Sequence, residues 1–78
     1  DKADLIFLDP PYRQGLIKEC MSHIAKLSLL SEDGAIVAEH GTDERLEDEI
    51  AGYTKIKEKV YGTITISVYG IDLEDNNS

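Results

Sequence analysis

The sequence of 78 residues has a single cysteine, Cys20, and lacks any apolar run near the roughly 20 residues that a membrane-spanning helix requires. One cysteine excludes an intramolecular disulfide, and the N-terminus shows no basic segment followed by an apolar signal core. We therefore expect a soluble protein of the reducing cytoplasm with no membrane partner. A chain of this length buries only about 60% of its unfolded surface, so its core is small.

Positive charge is also scarce, with 8 Lys and Arg residues against 16 Asp and Glu residues and a net charge of −8. Attraction to nucleic-acid phosphates depends on Lys and Arg releasing counterions. The balance excludes a chain whose whole surface is attracted to nucleic acid. If a nucleic acid is the partner, this segment does not supply most of the affinity.

The first half of the chain predicts two buried strands around one helix. Residues 5–8 (LIFL) show no alternation, which is typical of a strand covered on both faces, and we assign a strand to residues 4–9. Residues 31–34 read as a turn, and residues 35–39 as a second short buried strand ending at Glu39. Between them, apolar side chains at three- and four-residue spacing predict an amphipathic helix of three to four turns, with the apolar face Leu16, Ile17, Cys20, Met21, Ile24 and Leu27.

The second half predicts another helix and a hairpin. Thr42 is a candidate N-cap for a helix that ends before Gly52. From Tyr53 the apolar period becomes two, which predicts two strands joined at a Tyr61-Gly62 turn, with Ile56 and Val60 on one face. We expect a domain over residues 1–70 and a disordered tail over residues 71–78.

This order of elements is an α/β pattern with three parallel strands and an antiparallel last strand. Ligands of such sheets bind beyond the carboxyl ends of the parallel strands. Asp9, Glu39 and the Tyr61-Gly62 turn are therefore predicted to lie along one rim.

The stretch Asp9-Pro10-Pro11-Tyr12 follows the first strand and combines a stiff backbone with hydrogen-bond acceptors. Its natural complement is a planar group bearing an NH₂, as on a nucleobase, and the chemistry it would assist is methyl transfer to that amine. The alternative is that the prolines only end the strand and Asp9 caps the next helix. The rim position favours the site.

The stretch "DLIFLDPPY" resembles motif IV, Asn/Asp-Pro-Pro-Tyr/Phe, of the amino-group methyltransferases, which use S-adenosylmethionine to modify adenine N6, cytosine N4, guanine N2 or glutamine amides. The later stretches "LLSEDGAIVAEH" and "KVYGTITISVY" resemble the C-terminal half of the bacterial small-subunit rRNA guanine-N2 methyltransferases, the RsmD-like family. The resemblance implies a Rossmann-like methyltransferase sheet, S-adenosylmethionine as cofactor and small-subunit rRNA as partner.

The resemblance also implies roles for individual residues. Asp9 and the Pro10 carbonyl would be the catalytic groups that hold the target amine, Tyr12 would stack on the base or shape its pocket, and Pro11 would belong to the same substrate-binding loop. From their predicted places on the rim, we expect Glu39 to orient the base or a neighbouring loop, and Gly62 to serve the turn, where its backbone could contact substrate. The family's cofactor site lies upstream, and no complete cofactor site is found in this chain, so we expect the fragment alone to be inactive.

Several alternatives stay open at the level of sequence. The enzyme could be an adenine-N6 DNA methyltransferase, or the chain could be a non-catalytic folding or interaction module. A metal site of Asp9, Glu39 and His40 is disfavoured, because the three come from unrelated segments and amine methylation needs no metal.

Two surface features allow further predictions. Lys55, Lys57 and Lys59, with Tyr53 and Tyr61, are predicted to share one face of a strand. They could contact phosphates, although we favour the role of exposed lysines in solubility and in blocking edge pairing. The first strand would present an open sheet edge, which favours self-association.

Overall fold

The strands of the protein form one mixed sheet. The computed structural model describes residues 2–9 and 14–71. Its elements, in chain order, are β1 (Ala3–Leu8), α1 (Gln14–Lys26), β2 (Leu30–Gly41), β3 (Glu49–Ile50), β4 (Tyr53–Tyr61) and β5 (Ile64–Gly70). The five strands are arranged in the order β1-β2-β5-β4-β3.

Strand directions agree with the predicted α/β fold. β1 runs parallel to β2, and β5 runs antiparallel to both β2 and β4, so β1, β2 and β4 share one direction. The two-residue β3, antiparallel to β4, is an additional strand that the sequence did not predict. Residues 72–78, most of the predicted tail, lie outside the described residues, and Ile71 is half-buried against the core.

The two faces of the sheet differ in how they are covered. The helix face, against which α1 packs, carries the buried Ile36, Ala38 and Tyr69. The open face carries Leu5 and Phe7 of β1, which are 64% and 62% exposed. The prediction that β1 is covered on both faces is therefore wrong within the described residues, because no described element packs on the open face. The other open-face apolar positions of β2 and β5 are the half-buried Ala35, Val37, Ile66 and Val68 and the exposed Ile64.

Helix α1 buries Ile17, Met21 and Ile24, as its spacing predicts. The helix ends in a Schellman motif, in which the Leu29 N–H donates to the Ile24 carbonyl at 3.0 Å across Ser28, whose φ is +52°. Leu27, predicted to belong to the apolar face, lies beyond this end and is 62% exposed. No helix in the described part of the chain has the length and apolar character for crossing a membrane.

The predicted turn at residues 31–34 is part of a longer strand. The pairing of β1 with β2 moves from Ala3–Leu30 to Leu5–Ala35, so residues 31–34 form an irregular bulge opposite Asp4. The Ser31 hydroxyl donates to the Asp4 carboxylate at 2.7 Å across this bulge. The chain therefore does not reverse direction at residues 31–34, and only the register between β1 and β2 shifts there.

The predicted second helix is absent from the described chain, and a hairpin of β3 and β4 takes its place. Leu46 and Ile50, whose four-residue spacing suits one face of a helix, are buried at 1% and 5% exposure, but the backbone pairs Ile50 with Tyr53 of β4. Ala51 and Gly52 join the two strands, and both have positive φ, at +54° and +88°. Two such residues define a type I′ turn, so Gly52 serves a hairpin and not a helix end.

A β-bulge divides β4. Lys55 pairs with Tyr69 and Lys57 with Val68, which leaves Ile56 as an extra residue. Because Tyr69 and Val68 point to opposite faces, Lys55 lies on the helix face and Lys57 on the open face. The prediction of a common face for Lys55, Lys57 and Lys59 is therefore wrong. The same bulge separates Ile56 from the face of Val60, which pairs with Thr65.

Candidate active site

The carboxyl ends of β1 and β2 bring two of the predicted site residues together. Leu8 pairs with Ala38, so Asp9 and Glu39 follow at the next positions of two adjacent parallel strands. Neighbouring strands lie about 4.8 Å apart. Asp9 is exposed and Glu39 is half-buried. The sheet therefore presents two carboxylates side by side at its rim.

The rest of the proline-rich stretch is not covered by the structure. Pro10, Pro11 and Tyr12 lie outside the described residues. Their assigned roles at the target base stay predictions.

Gly62 lies on the same rim, at the turn from β4 to β5. The turn consists of Gly62 and Thr63 and joins the pair Tyr61–Ile64, so it lies one residue later than predicted. Gly62 has a φ of +61°, and a positive φ at the first turn position alone is typical of a type II′ hairpin. β5 lies between this strand and β2, so Gly62 is not adjacent to Asp9.

A threonine connects the Gly62 turn to the end of β2. The Thr42 hydroxyl donates to the Gly62 carbonyl at 2.8 Å and lies 2.9 Å from the Thr65 hydroxyl. A hydroxyl has one proton, so Thr65 is the donor in the second bond. The Thr42 N–H also donates to the Thr63 carbonyl at 2.8 Å. Three hydrogen bonds thus fix the hairpin turn relative to the chain that leaves β2.

His40 lies beneath the rim, on the helix face, and is 6% exposed. Its Nδ1 atom is 3.0 Å from the Gly41 carbonyl oxygen, which can only accept, so Nδ1 carries the proton. Its Nε2 atom is hydrogen-bonded to the Ser67 hydroxyl at 2.8 Å. Both ring nitrogens are therefore occupied by protein groups.

The two acidic residues and His40 do not converge. Side chains alternate along β2, so Glu39 lies on the open face and His40 on the helix face. Among residues 2–9 and 14–71, no group of three His, Cys, Asp or Glu side chains is placed to hold a metal ion.

The acidic segment after the rim is attached to the core through Tyr69. The Tyr69 hydroxyl donates to the Glu47 carbonyl, and its side chain is fully buried. Burial, with the nearby carboxylates of Asp48, Glu58 and Glu47, raises the pKa of Tyr69 to about 12. This contact holds the segment that the sequence assigned to a helix.

Sequence reasoning missed the polar partners at the rim for an identifiable reason. Thr42 was predicted as a helix N-cap, and it does bind backbone groups through its hydroxyl, but those groups belong to a hairpin. Thr65 and Ser67 alternate with apolar residues and would be expected to face solvent, yet they are 2% and 0% exposed. The alternation marks two faces without saying which one is covered.

The fold that carries this rim is methyltransferase-like. The structure aligns with that of a conserved hypothetical protein of Streptococcus pyogenes with a TM-score of 0.84 and 38% identity, over 91% of this chain and 44% of that chain. It aligns with "Putative methyltransferase yhhF" from Escherichia coli with a TM-score of 0.75 and 26% identity, over 87% and 38% of the two chains.

The chain belongs to the family described as Conserved hypothetical protein 95, whose model matches residues 1–70. It is 34% identical over 64 residues to "Putative rRNA methyltransferase YlbH" of Bacillus subtilis, covering 82% of this chain and 35% of the relative. It is 27% identical over 66 residues to "Ribosomal RNA small subunit methyltransferase D" of Escherichia coli, covering 85% and 33%. The resemblance to the RsmD-like family is confirmed. The chain spans about a third of the length of these curated relatives.

Proposed function

We propose that this chain is the base-presenting part of an rRNA methyltransferase that transfers a methyl group from S-adenosylmethionine to guanine N2 of small-subunit rRNA. The observation that carries the proposal is the placement of Asp9 beside Glu39 at the carboxyl ends of two parallel strands. The names of the relatives support the RNA substrate, and guanine N2 is the target that the sequence resemblance implies.

The proposed role of Asp9 follows from the chemistry of the acceptor. An exocyclic amine is a poor nucleophile because its lone pair is delocalised into the ring. A carboxylate that accepts hydrogen bonds from the amine favours a pyramidal nitrogen and offsets the positive charge that develops as the nitrogen–carbon bond forms. Asp9 is exposed at the rim and forms no ion pair within the part of the chain that the structure describes.

We propose that this chain does not hold a complete site for the cofactor. S-adenosylmethionine would supply an electrophilic methyl group, but residues 2–9 and 14–71 contain no glycine-rich loop after a buried strand. We propose that the cofactor is held by the part of the protein that corresponds to the other two thirds of the relatives. The chain described here would hold and orient the acceptor base.

The test is methyl transfer by the protein extended with that missing part. Replacing Asp9 by Ala should leave cofactor binding unchanged and lower methyl transfer to small-subunit rRNA by about 10²–10³-fold, the usual effect of one transition-state partner. Asp9→Asn keeps an acceptor oxygen and should retain more activity. Asp33→Ala, an exposed acid outside the rim, is the matched control. Unchanged turnover with Asp9→Ala would contradict the assigned role.

The same assay separates the alternative substrate. An adenine-N6 DNA methyltransferase would methylate duplex DNA and leave small-subunit rRNA unmodified. We expect methylation of small-subunit rRNA and none of duplex DNA. Nuclease digestion of the RNA should place the transferred methyl group on guanine N2.

A non-catalytic role for the isolated chain is the second candidate, and it is favoured by the one-third coverage of the relatives. Calorimetry of the 78-residue chain with S-adenosylmethionine should detect no tight binding. Stoichiometric tight binding would show that the chain holds a cofactor site of its own.

We also propose that the isolated chain self-associates through β1. This strand is at the edge of the described sheet, and Leu5 and Phe7 are exposed beside that edge. Sedimentation velocity at rising concentration should detect dimers or larger species. A strictly monomeric species at high concentration would contradict the proposal.

A further inference from the structure

We propose that Lys57, Lys59 and Tyr61, here called the β4 stripe, bind a single-stranded RNA segment that flanks the target base. The two lysines would contact phosphates, and the tyrosine ring would stack on a base. This inference rests on the proposed function, because the RNA is the substrate of the same rim.

The two-residue period of a strand keeps the three side chains on one face, and the bulge at Ile56 makes this the open face. Lys57, Lys59 and Tyr61 pair with Val68, Ile66 and Ile64, which alternate with the buried helix-face residues of β5. All three stripe residues therefore lie on the open face, at every second position, and all three are exposed. The stripe leads along β4 towards the rim.

The charges of the three lysines in β4 are arranged differently on the two faces. Lys55 lies on the helix face, where its Nζ atom donates to the Leu46 carbonyl at 2.9 Å and lies 3.3 Å from Glu58. Lys57 and Lys59 form no ion pair within the part of the chain that the structure describes. In a chain with twice as many acids as bases, two adjacent lysines without a carboxylate partner leave a local positive site.

The nearest acid in the same row of the sheet does not neutralise Lys59. Ile66 pairs with Lys59 on one side and with Glu39 on the other, so Glu39 is two strands away. At about 4.8 Å per strand this separation is about 10 Å, which is near one Debye length at moderate salt. Phosphate could approach Lys59 without displacing a protein carboxylate.

Tyr61 is the aromatic end of the stripe and is 58% exposed. Tyr61 directly precedes Gly62, whose carbonyl accepts a hydrogen bond from the Thr42 hydroxyl. The backbone next to the ring is therefore fixed by a hydrogen bond. β4 is three strands from β1, and Tyr61 lies two residues beyond the row that contains Glu39 and Lys59, which puts Tyr61 about 16 Å across the rim from Asp9. That distance fits a base next to the target and not the target itself. Base stacking on an exposed aromatic ring is tolerant of sequence, as an RNA-flank contact requires.

Edge protection is the competing explanation for the lysines. β3 pairs only with Tyr53 and Thr54, so the later part of β4 has no outer neighbour among the described residues. Exposed lysines prevent such an edge from pairing with another chain. This explanation gives no role to Tyr61, and it predicts a change in self-association and not in RNA binding.

The test is fluorescence anisotropy of the 78-residue chain with a short fluorescein-labelled single-stranded RNA over a series of salt concentrations. The variant Lys57→Ser/Lys59→Ser should reduce the slope of log K against log salt by about 1.4, which is 0.7 for each lost phosphate contact. The variant Lys2→Ser/Lys26→Ser removes the same charge from two exposed positions outside the stripe and should change the slope little.

Tyr61 is tested separately from charge. Tyr61→Ala should weaken RNA binding about 5- to 150-fold, the range expected for loss of one stacked base. Tyr61→Phe keeps the ring and should bind like the unsubstituted chain. Thermal melts of each variant identify any loss of folding.

Three results would overturn the proposal. They are no measurable RNA binding at low salt, equal losses for the stripe and control variants, and increased self-association of the stripe variant with unchanged RNA binding. Methyl transfer by the Asp9 variants is measured independently, so the stripe can fail while the proposed function stands, and the reverse.

Discussion

The Thr42 hydroxyl donates a 2.8 Å hydrogen bond to the carbonyl of Gly62, twenty residues further along the chain. This bond joins the end of β2 to the turn between β4 and β5, and therefore joins the part of the rim near Glu39 to the part near Tyr61. Because Thr65 donates to the same hydroxyl from a buried position, the arrangement has a measurable contribution to stability.

Thr42→Val should lower the free energy of unfolding by about 1–2 kcal/mol, because the buried Thr65 hydroxyl loses its acceptor. Thr42→Ser retains the hydroxyl and should be close to neutral. Urea unfolding followed by circular dichroism measures both. Equal stability of the valine and serine variants would show that the hydroxyl is not used.

Ser67→Ala should destabilise the fold by about 1–3 kcal/mol, because it leaves the Nε2 atom of the buried His40 without its hydrogen-bond partner. Ser31→Ala is the matched control, since it removes a hydroxyl that bonds Asp4 at an exposed position. Its effect should stay within about 0.5 kcal/mol, as for other surface changes. A similar loss for both variants in urea titrations would contradict the assigned role of the His40–Ser67 pair.

Ala51→Asn should stabilise the protein by about 0.5–1 kcal/mol. Ala51 has a φ of +54° at the first position of a type I′ turn, where asparagine is preferred and a Cβ-bearing alanine is strained. Ala51→Val places a β-branched residue in the same conformation and should be destabilising. Thermal unfolding of the three proteins should follow the order asparagine, alanine, valine, and any other order would contradict the turn assignment.

Stability should fall as the pH rises above 10. The pKa of Tyr69 is raised to about 12 in the folded chain, so between pH 10 and 12 the unfolded state releases a proton that the folded state retains. The resulting loss is about 1.4 kcal/mol per pH unit for this residue, and its full contribution is present below pH 10. Burial also raises the pKa of Tyr53, which acts in the same direction.

The pH dependence has an internal control. Tyr69→Phe should make the alkaline decline shallower, with a remainder due to Tyr53, whereas Tyr61→Phe at an exposed position should leave it unchanged. Urea unfolding at a series of pH values measures both slopes. The interpretation fails if the Tyr69 variant declines as steeply as the unsubstituted chain.

The elements that were predicted correctly are those whose apolar pattern is compatible with only one type of secondary structure. The unbroken run before Asp9 forms β1, and the three- and four-residue spacing of Ile17, Met21 and Ile24 forms α1. The positions of Asp9 and Glu39 at neighbouring strand ends follow from these elements and a parallel connection. The core of the proposed site was therefore accessible from the sequence.

The elements that were predicted wrongly have apolar patterns that are compatible with two different local structures. Leu46 and Ile50 are four residues apart, which suits a helix face, but a loop and a short strand bury the same two side chains. Alternation in β4 predicted one face for its lysines, and a bulge depends on pairing with β5, which the β4 sequence does not encode locally. In β5, the polar residues Thr65 and Ser67 are covered because His40 and Thr42 provide hydrogen-bond partners from distant positions.

The bulge at Ile56 also determines which changes in chain length this region tolerates. Removing Ile56 would leave each later residue of β4 opposite its present partner, so a relative one residue shorter there would display the same stripe. Losing Glu58 instead would shift Lys59 by one place and turn it to the other side of the sheet. In an alignment of relatives, a gap at position 56 therefore leaves the later β4 side chains on their present faces, whereas a gap at position 58 moves Lys59 to the helix face.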